Sequence, residues 1–359
     1  MNRYLLYLLL VNMLTNIVVY VPKILIDYKY DGAVSAILIA IPIGLFLCIV
    51  FCKSISAFPE QGLPEILDQL LNRKIKNIIL FIFSGFWYFA GFLTLIGFTD
   101  IINRFINPEM SKVSLAVLFA IATCFIIQLP TEKVMYIVEI ILVLNVPFVF
   151  FIVFKALTNE YFSWNSVFEV GTHLFSWPSF KALSAATYTF SGYMNVLIMN
   201  RLFRQKIKGI NFIVIGFLSI FNMFTTFFIP IGFHGADGAQ EYLYPWTTTA
   251  DCLRIPYGPI ERVIFLFLML YIGITVVSAA IHWHVAFEFL KGASSKKFTK
   301  KKALLILIIF SCATIISEMK ITAVQTMFLS TYWLILRFIF EICVVTFVFF
   351  LARRKKNET

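Results

Sequence analysis

The chain has 359 residues, a formal net charge of +11 at pH 7, and 60% hydrophobic against 14% charged residues. Its mean hydropathy of +0.88 is far above that of soluble proteins. This composition excludes a soluble globular or disordered protein and indicates an integral membrane protein. Because the basic residues lie beside apolar segments, membrane topology and attraction to anionic membrane lipid explain the charge, and we expect no nucleic-acid partner.

Apolar windows of the length that a helix needs to cross a bilayer, about 20 residues, recur along the chain. They predict ten transmembrane helices, at roughly residues 4–25, 33–52, 77–98, 113–129, 134–154, 182–199, 210–232, 263–287, 303–317 and 327–351. No segment alternates in polarity as a membrane β-strand would, and no linker suits a separate domain. We therefore expect an all-α integral membrane protein with one domain over residues 1–359.

The segment GLPEILDQLLNRKI lies between the second and third windows. Its apolar residues Leu63, Ile66, Leu67 and Leu70 repeat at helical spacing, and Pro64 suits a first helical turn. The pattern predicts a short interfacial helix at the membrane surface.

If the ten predicted helices cross the membrane in turn, most of the 30 lysine and arginine residues lie in segments on the same side of the membrane as the N-terminus. They include four residues after the sixth window and six after the eighth, namely Arg201, Arg204, Lys206, Lys208, Lys291, Lys296, Lys297, Lys300, Lys301 and Lys302. Since short cytoplasmic loops are enriched in Lys and Arg, we expect both termini to be cytoplasmic.

Three ionisable side chains lie well inside predicted spans, where a charge costs at least ~2.5 kcal/mol. Glu139 has no local partner, so it is either a proton-binding or gating group or is bonded to a neighbouring helix. Arg337 and Glu341 stand one turn apart and can pair. They are either a structural ion pair or gating and coupling groups.

Backbone breakers mark further positions inside the predicted spans. Pro22, Pro42 and Pro147 interrupt the first, second and fifth windows, and Gly192 interrupts the sixth. Such breaks free backbone polar groups that lipid cannot satisfy, so they survive only where protein or a water-filled cavity meets them. The pattern therefore predicts an interior cavity.

Two of these windows also carry polar residues, NMLTN in the first and TYTFSGYMN in the sixth. In transporters with two inverted five-helix repeats, the first helix of each repeat is discontinuous at mid-membrane and binds the substrate there. We expect the same here, with discontinuous first and sixth helices, and repeats at about residues 4–156 and 180–352. The predicted ligand-binding residues are Asn12, Thr15, Asn16, Tyr188, Ser191, Gly192, Tyr193 and Asn195. The alternative is a polar packing patch between helices.

Four other side chains are candidates for a role in ligand or ion binding. Thr275 and Ser278 share a face of the eighth helix and either supply oxygens to a coupling cation or serve as packing hydroxyls. Trp87 and Tyr88 either close over a ligand or pack in the core. No metal site or cofactor is expected, because the cysteine and histidine spacings do not form a closed metal site.

Two kinds of membrane enzyme are weaker alternatives. An intramembrane serine protease would need a glycine-framed serine and a histidine on a neighbouring helix. Ser191, Gly192 and His282 superficially offer these groups, but Thr189 replaces the glycine two residues before the serine. A membrane acyltransferase is disfavoured because we expect its basic or histidine catalytic group early in the chain, whereas the first histidine here is His173. We therefore expect no enzymatic activity and keep a membrane-embedded enzyme as the remote alternative.

Five short segments together resemble the spore germination permease family over essentially the whole length. They are VVYVPKIL, AFPEQGLPEILDQLL, PTEKVMYIVEI, YPW and RIPYGPIERVIFLF, and their order and spacing make the match specific. Glu132 and Glu139 match acidic positions of the family pattern. The chain departs from the pattern at Pro130 and Tyr136, where glycine and arginine are usual, and it has no glycine before Pro22.

This resemblance implies a ten-helix, inverted-repeat protein of the amino acid/polyamine/organocation transporter superfamily in the inner membrane of a bacterial spore. It implies the B subunit of a nutrient germinant receptor, which binds a small nutrient, usually an amino acid, and signals to A and C subunits so that germination begins. An active proton- or cation-coupled amino-acid permease is the alternative, because sensing and transport use the same site.

Overall fold

The computed structural model describes residues 3–203, 209–256, 258, 260–294 and 298–358. Within these ranges the chain is helical, and an isolated antiparallel bridge joins Arg254 to Arg262. The basic residues Arg204, Lys206, Lys208, Lys296 and Lys297 lie outside the described residues. The α-helices are α1 (Arg3–Val18), α2 (Val21–Asp27), α3 (Ala33–Ile55), α4 (Leu63–Leu70), α5 (Arg73–Phe105), α6 (Lys112–Ile127), α7 (Thr131–Leu157), α8 (Trp164–Gly171), α9 (Phe180–Thr187), α10 (Val196–Met199), α11 (Gly209–His234), α12 (Ala236–Gln240), α13 (Pro245–Cys252), α14 (Val263–Ala293), α15 (Lys300–Lys320) and α16 (Ala323–Glu358).

Among the described residues, seven helices are long and apolar enough to cross a membrane: α3, α5, α7, α11, α14, α15 and α16. The α1–α2 pair is an eighth if it is one broken span. The predicted span 113–129 is the 16-residue α6, about 24 Å long. The predicted span 182–199 is a series of short helical pieces. The protein is thus an all-α membrane protein, while the ten-helix inverted repeat stays a prediction.

The first predicted span is broken, with a bend of 56° between α1 and α2. The break falls at Val19 and Tyr20, after the polar residues 12–16 rather than among them. Pro22 stands in the first turn of α2, where a missing N–H costs no helical hydrogen bond. The Tyr20 hydroxyl donates to Leu93 O of α5 at 2.8 Å, which fixes the break against the bundle.

The sixth predicted span changes helix type instead of breaking. After α9, an eight-residue 3₁₀ segment runs over Tyr188–Asn195, and α10 follows. Such segments rarely exceed three or four residues, and a long one marks strain or a hinge. This 3₁₀ segment packs against α1 and α3. On α3 a Cβ at Gly44 would lie 2.2 Å from the Phe190 ring, so a glycine is needed there.

The prolines of the second and fifth predicted spans do not interrupt them. Pro42 lies inside the continuous α3, and Pro147 lies inside the continuous α7. In α7 the Asn145 side chain donates to Ile141 O at 2.6 Å and adds a bond near the proline. The expectation that these two prolines break their helices is therefore wrong.

The predicted interfacial helix is confirmed as a helix, α4. Pro64 occupies its first turn, and Gly62 N donates to Glu65 Oε2 at 2.8 Å, as in a capping box. Arg201 reaches Glu65 Oε1 at 2.7 Å and also bonds Glu288 of α14. Burial alone would lower the pKa of Arg201, but its bonds to the two glutamates outweigh this and raise the pKa above its ordinary value. Arg201 therefore ties α4, α14 and the end of the irregular sixth segment together.

We expect Arg201→Met to loosen α4. Because Arg201 carries the ion pair that joins α4 to two other elements, its loss should speed hydrogen exchange of the α4 amides by about tenfold, or about 1.4 kcal/mol of local stability. Lys74→Met, at an exposed position, is the control and should leave α4 unchanged. Equal exchange in both variants would contradict this role.

Near the C-terminal end of α5, remote from α4, a buried carboxylate bonds several partners. Asp100 lies in α5 with 4% of its surface exposed. It bonds Lys112 and accepts from the Tyr244 hydroxyl at 3.0 Å. Burial raises the pKa of Tyr244 well above 10, so this hydroxyl stays protonated and donates. These bonds satisfy a charge that would otherwise be costly to bury.

Candidate functional site

An interior cavity lies between the 3₁₀ segment, α5, α14 and α16. Its cavity volume is about 40 Å³, which holds a few water molecules and lies below the usual range for small-molecule sites, so a larger ligand requires the walls to move apart. We call it the charged cavity because it contains an Arg and a Glu side chain. Its lining residues are Phe86, Trp87, Ala90, Tyr188, Ser191, Met194, Asn195, His282, Trp333, Arg337, Phe340 and Glu341.

Arg337 is the most highly bonded side chain of the charged cavity. One terminal nitrogen donates to Ser191 Oγ at 2.5 Å and also bonds Glu341. The other donates to Ser184 O at 2.6 Å and to Thr187 Oγ1 at 3.0 Å. The guanidinium thus joins α16 to the end of α9. Its buried Nε–H remains as a donor without a partner among the described residues.

Glu341 completes the polar group. It is 2% exposed, and it accepts from Ser191 Oγ at 3.1 Å as well as from Arg337. A buried ion pair is costly to desolvate and needs further hydrogen bonds to be stable. Ser191 supplies one to each partner. A positive and a negative group therefore lie together in one cavity, paired with each other.

Aromatic rings form most of the remaining wall. Trp87 Nε1 donates to Asn195 Oδ1 at 2.7 Å, and Asn195 Nδ2 donates to Gly192 O at 3.3 Å, so both side chains are held in place. The Arg337 guanidinium carbon lies 5.2 Å from the Tyr188 ring centroid, within the range of a cation–π contact. The charged cavity therefore combines a fixed apolar wall with a small polar group.

A second interior cavity, of about 20 Å³, adjoins the first and has room for one or two water molecules. Ala90, Tyr188 and Trp333 line both. The rings of Tyr188 and Trp333 meet edge to face, with centroids 5.5 Å apart and an interplanar angle of 85°. We call this second space the neutral cavity, because none of its lining residues is charged; they are Thr15, Asn16, Val19, Tyr20, Val21, Ala90, Leu93, Thr94, Tyr188, Ser330, Trp333 and Leu334.

The structure brings most of the predicted ligand residues to these two cavities. Tyr188, Ser191 and Asn195 line the charged cavity, and Thr15 and Asn16 line the neutral one. Asn12 lines neither cavity. Its Nδ2 donates to Tyr188 O at 2.6 Å, so it joins α1 to the start of the 3₁₀ segment.

Two predicted ligand residues point elsewhere. A Cβ at Gly192 would lie 2.5 Å from Leu8 O and 2.8 Å from Leu9 Cα, so the bare backbone of Gly192 serves the contact with α1. Tyr193 is fully buried, with its ring centroid 5.1 Å from that of Phe51. Neither residue lines either cavity.

The predicted gating and coupling residues fall into two groups. Arg337 and Glu341 line the charged cavity, whereas Glu139 lies away from it and bonds Arg3 at 3.1 Å and Tyr7 at 3.2 Å, both on α1. Thr275 and Ser278 are buried on α14 without lining either cavity. Within the described residues, no group of three or more His, Cys, Asp or Glu side chains is arranged to hold a metal ion.

Sequence reasoning did not single out several wall residues, chiefly Trp333, Phe86 and Phe340. Trp333 precedes Arg337 by four residues, so helical spacing places both on one face of α16 and could have identified it. His282 also lines the charged cavity, and its Nδ1 contacts Ser278 O at 2.7 Å. The Ser191 hydroxyl bonds Arg337 and Glu341 instead of this histidine.

Fold and site together define an all-α integral membrane protein with an aromatic-walled cavity, which contains a buried ion pair, beside an irregular helical segment. The chain belongs to a family described as spore germination protein, whose sequence model matches residues 2–326. This membership confirms the resemblance seen in the sequence. The match ends before Trp333, Arg337 and Glu341. Among curated proteins, none matches the chain.

Proposed function

We propose that this protein is the nutrient-sensing membrane subunit of a spore germinant receptor and that it binds a small nutrient, an amino acid, in the charged cavity. Family membership supports a germination role. The observation that carries the binding proposal is the buried group of Arg337, Ser191 and Glu341 in an aromatic-walled cavity. Such a site offers one partner to each charge of a zwitterion.

The ligand is placed by these charges. Its carboxylate approaches Arg337, whose Nε has no other partner among the described residues, and its ammonium group approaches Glu341. The side chain lies against Trp87 and Tyr188. Because α1 covers Gly192, the carboxylate is placed on the guanidinium rather than on the amides around that glycine.

Ligand binding at Arg337 gives a route to a signal. The same guanidinium donates to Ser184 O and Thr187 Oγ1. A ligand carboxylate that binds the guanidinium competes for these donors and weakens the bonds between α16 and the 180–195 region. That region continues to Arg201, which bonds α4 and α14. A ligand can shift such an equilibrium only through different contacts in the two states, and the Arg337 bonds supply that difference.

The setting of this function is also proposed. The apolar helices lie in the membrane lipid of the spore inner membrane, with both termini cytoplasmic, as the distribution of Lys and Arg favours. The A and C subunits of the receptor are the partners that receive the signal. No cofactor, nucleic acid or catalytic step is part of the proposal.

An active proton- or cation-coupled amino-acid permease is the second candidate, favoured by the broken α1–α2 span beside the cavities. Glu139, Thr275 and Ser278 stay predicted coupling residues in that case. Uptake of labelled amino acids into vesicles separates the two, because a sensor binds its ligand without sustained flux.

The proposal is tested by equilibrium binding of a pooled panel of labelled amino acids to the purified full chain in detergent. We expect saturable binding by the wild-type chain. Trp87→Phe keeps an aromatic wall but removes the 2.7 Å bond to Asn195, and should weaken binding by about fivefold, since a hydrogen bond contributes ~1 kcal/mol. Absence of binding by a folded, monodisperse sample would contradict the proposal for the isolated chain.

A further inference from the structure

A groove opens on the surface of the bundle between α5 and α16. Its volume is about 450 Å³, against about 40 Å³ for the charged cavity, so it lies in the range of small-molecule sites. Both helices are long and apolar enough to cross a membrane, so the groove faces lipid. We call it the lateral groove, and its lining residues are Ile82, Gly85, Phe86, Phe89, Leu329, Tyr332, Trp333 and Leu336.

The lateral groove is long and narrow. Its lining positions are 82, 85, 86 and 89 on α5 and 329, 332, 333 and 336 on α16, which is the spacing of one face of each helix. At a rise of about 1.5 Å per residue, each set extends about 10 Å along its helix. A Cβ at Gly85 would meet no atom within 4 Å, so space is open beside that glycine.

The lining favours a flexible apolar chain over a partner helix. Transmembrane helices pack through small residues that let their backbones approach, and Gly85 is the one small residue among those that line the groove. The others are large and apolar or aromatic. An unfilled groove forfeits van der Waals contacts along its walls, and a lipid acyl chain restores them.

A cation lies beside the lateral groove. Lys181, in the first turn of α9, has its Nζ 6.0 Å from the ring centroid of Tyr332, and α9 packs against α16. Among the described residues, no carboxylate pairs with Lys181. A lysine near a helix end extends toward the membrane interface and attracts anionic lipid. Lys181 is therefore suited to bind a lipid phosphate.

We propose that the lateral groove binds an anionic phospholipid, whose acyl chain lies between α5 and α16 and whose phosphate contacts Lys181. The chain packs against Phe86 and Trp333, which also line the charged cavity. A lipid bound here therefore supports the wall of that cavity from the outside. This assignment rests on the groove and the lysine, and it does not depend on the identity of the nutrient.

Photocrosslinking in vesicles tests the assignment. The full chain is reconstituted in phosphatidylcholine vesicles that contain, as the probe, phosphatidylglycerol or phosphatidylcholine with a diazirine in the acyl chain. Peptide mass spectrometry then gives the adduct yield on residues 82–89 and 329–336. We expect Lys181→Gln to lower the ratio of phosphatidylglycerol to phosphatidylcholine adducts there by about fivefold, the effect of one lysine on an anionic lipid. Lys155→Gln, in the last turn of α7, is the control and should leave the ratio unchanged.

A second pair of variants tests the position of the acyl chain. Gly85→Leu fills the lateral groove, so it should reduce the adducts of both probes on the lining residues by at least about fivefold. Ala313→Leu adds the same side chain at an exposed position of α15 and should leave those adducts unchanged. Adducts on the exposed face of α7 serve as the internal reference for surrounding lipid, and thermal unfolding shows that each variant is folded.

Three outcomes would overturn the proposal. The first is an adduct ratio that Lys181→Gln leaves unchanged, which would mean that the phosphate does not bind this lysine. The second is an undiminished yield in Gly85→Leu, which would place the acyl chain elsewhere. The third is a wild-type chain without adducts on the lining residues, which would mean that lipid does not enter the groove.

Discussion

Arg337→Met is expected to destabilise the protein much more than the double variant Arg337→Met/Glu341→Met. The single change leaves Glu341 buried, 2% exposed, without its cationic partner. Breaking a buried ion pair on one side typically costs about 3–5 kcal/mol, whereas replacing both partners by apolar residues is close to neutral. Thermal unfolding of the three proteins in one detergent measures the difference.

Binding separates the structural role of the pair from its proposed ligand role. The double variant should be folded yet unable to bind the labelled amino acids, because it lacks both charged partners of the zwitterion. A double variant that binds as tightly as the wild-type chain would show that the pair only stabilises the fold. One that unfolds as readily as the single variant would contradict the energetic reasoning.

Gly192→Ala is expected to have the second large effect. Its Cβ would lie 2.5 Å from Leu8 O and 2.8 Å from Leu9 Cα, and both are backbone atoms of α1 that cannot rotate away. Overpacking usually costs about 1–3 kcal/mol and occasionally more, and this backbone-to-backbone contact places the change at or above the upper end. The free energy of unfolding should fall accordingly.

Gly85→Ala is the matched control on α5. A Cβ there meets no atom within 4 Å, and replacing an unstrained helical glycine by alanine stabilises by about 0.4–1 kcal/mol. Its unfolding should therefore be unchanged or slightly harder. If the two variants unfold alike, α1 and the 3₁₀ segment are not in close contact at Gly192.

The sequence predicts the membrane class, the helical content and the short helix α4 because these depend on composition and on local spacing. It also places unusual backbone in the first and sixth spans. It does not show how that backbone is irregular. Whether a glycine binds a ligand or admits a neighbouring helix depends on what packs against it, and Gly192 meets α1, which is remote in sequence.

The candidate site shows the same limit. Polarity inside an apolar span singles out Ser191, Asn195, Arg337 and Glu341 correctly as unusual residues, and helical spacing pairs the last two. Contacts between distant elements decide the rest. Glu139 bonds Arg3 on α1, away from the cavity. The wall residues Phe86, Trp333 and Phe340 cannot be told from other aromatic residues by composition, because 17% of the chain is aromatic.

The central claim is that the charged cavity holds the nutrient, and filling the cavity tests it most directly. Ala90 lines both cavities, so Ala90→Leu occupies the space without removing a polar group. The measurement is equilibrium binding of the labelled amino-acid panel to the wild-type chain and to Ala90→Leu, with thermal unfolding recorded for both. We predict saturable binding by the wild-type chain and none by a stably folded Ala90→Leu. Undiminished binding by Ala90→Leu would contradict the account.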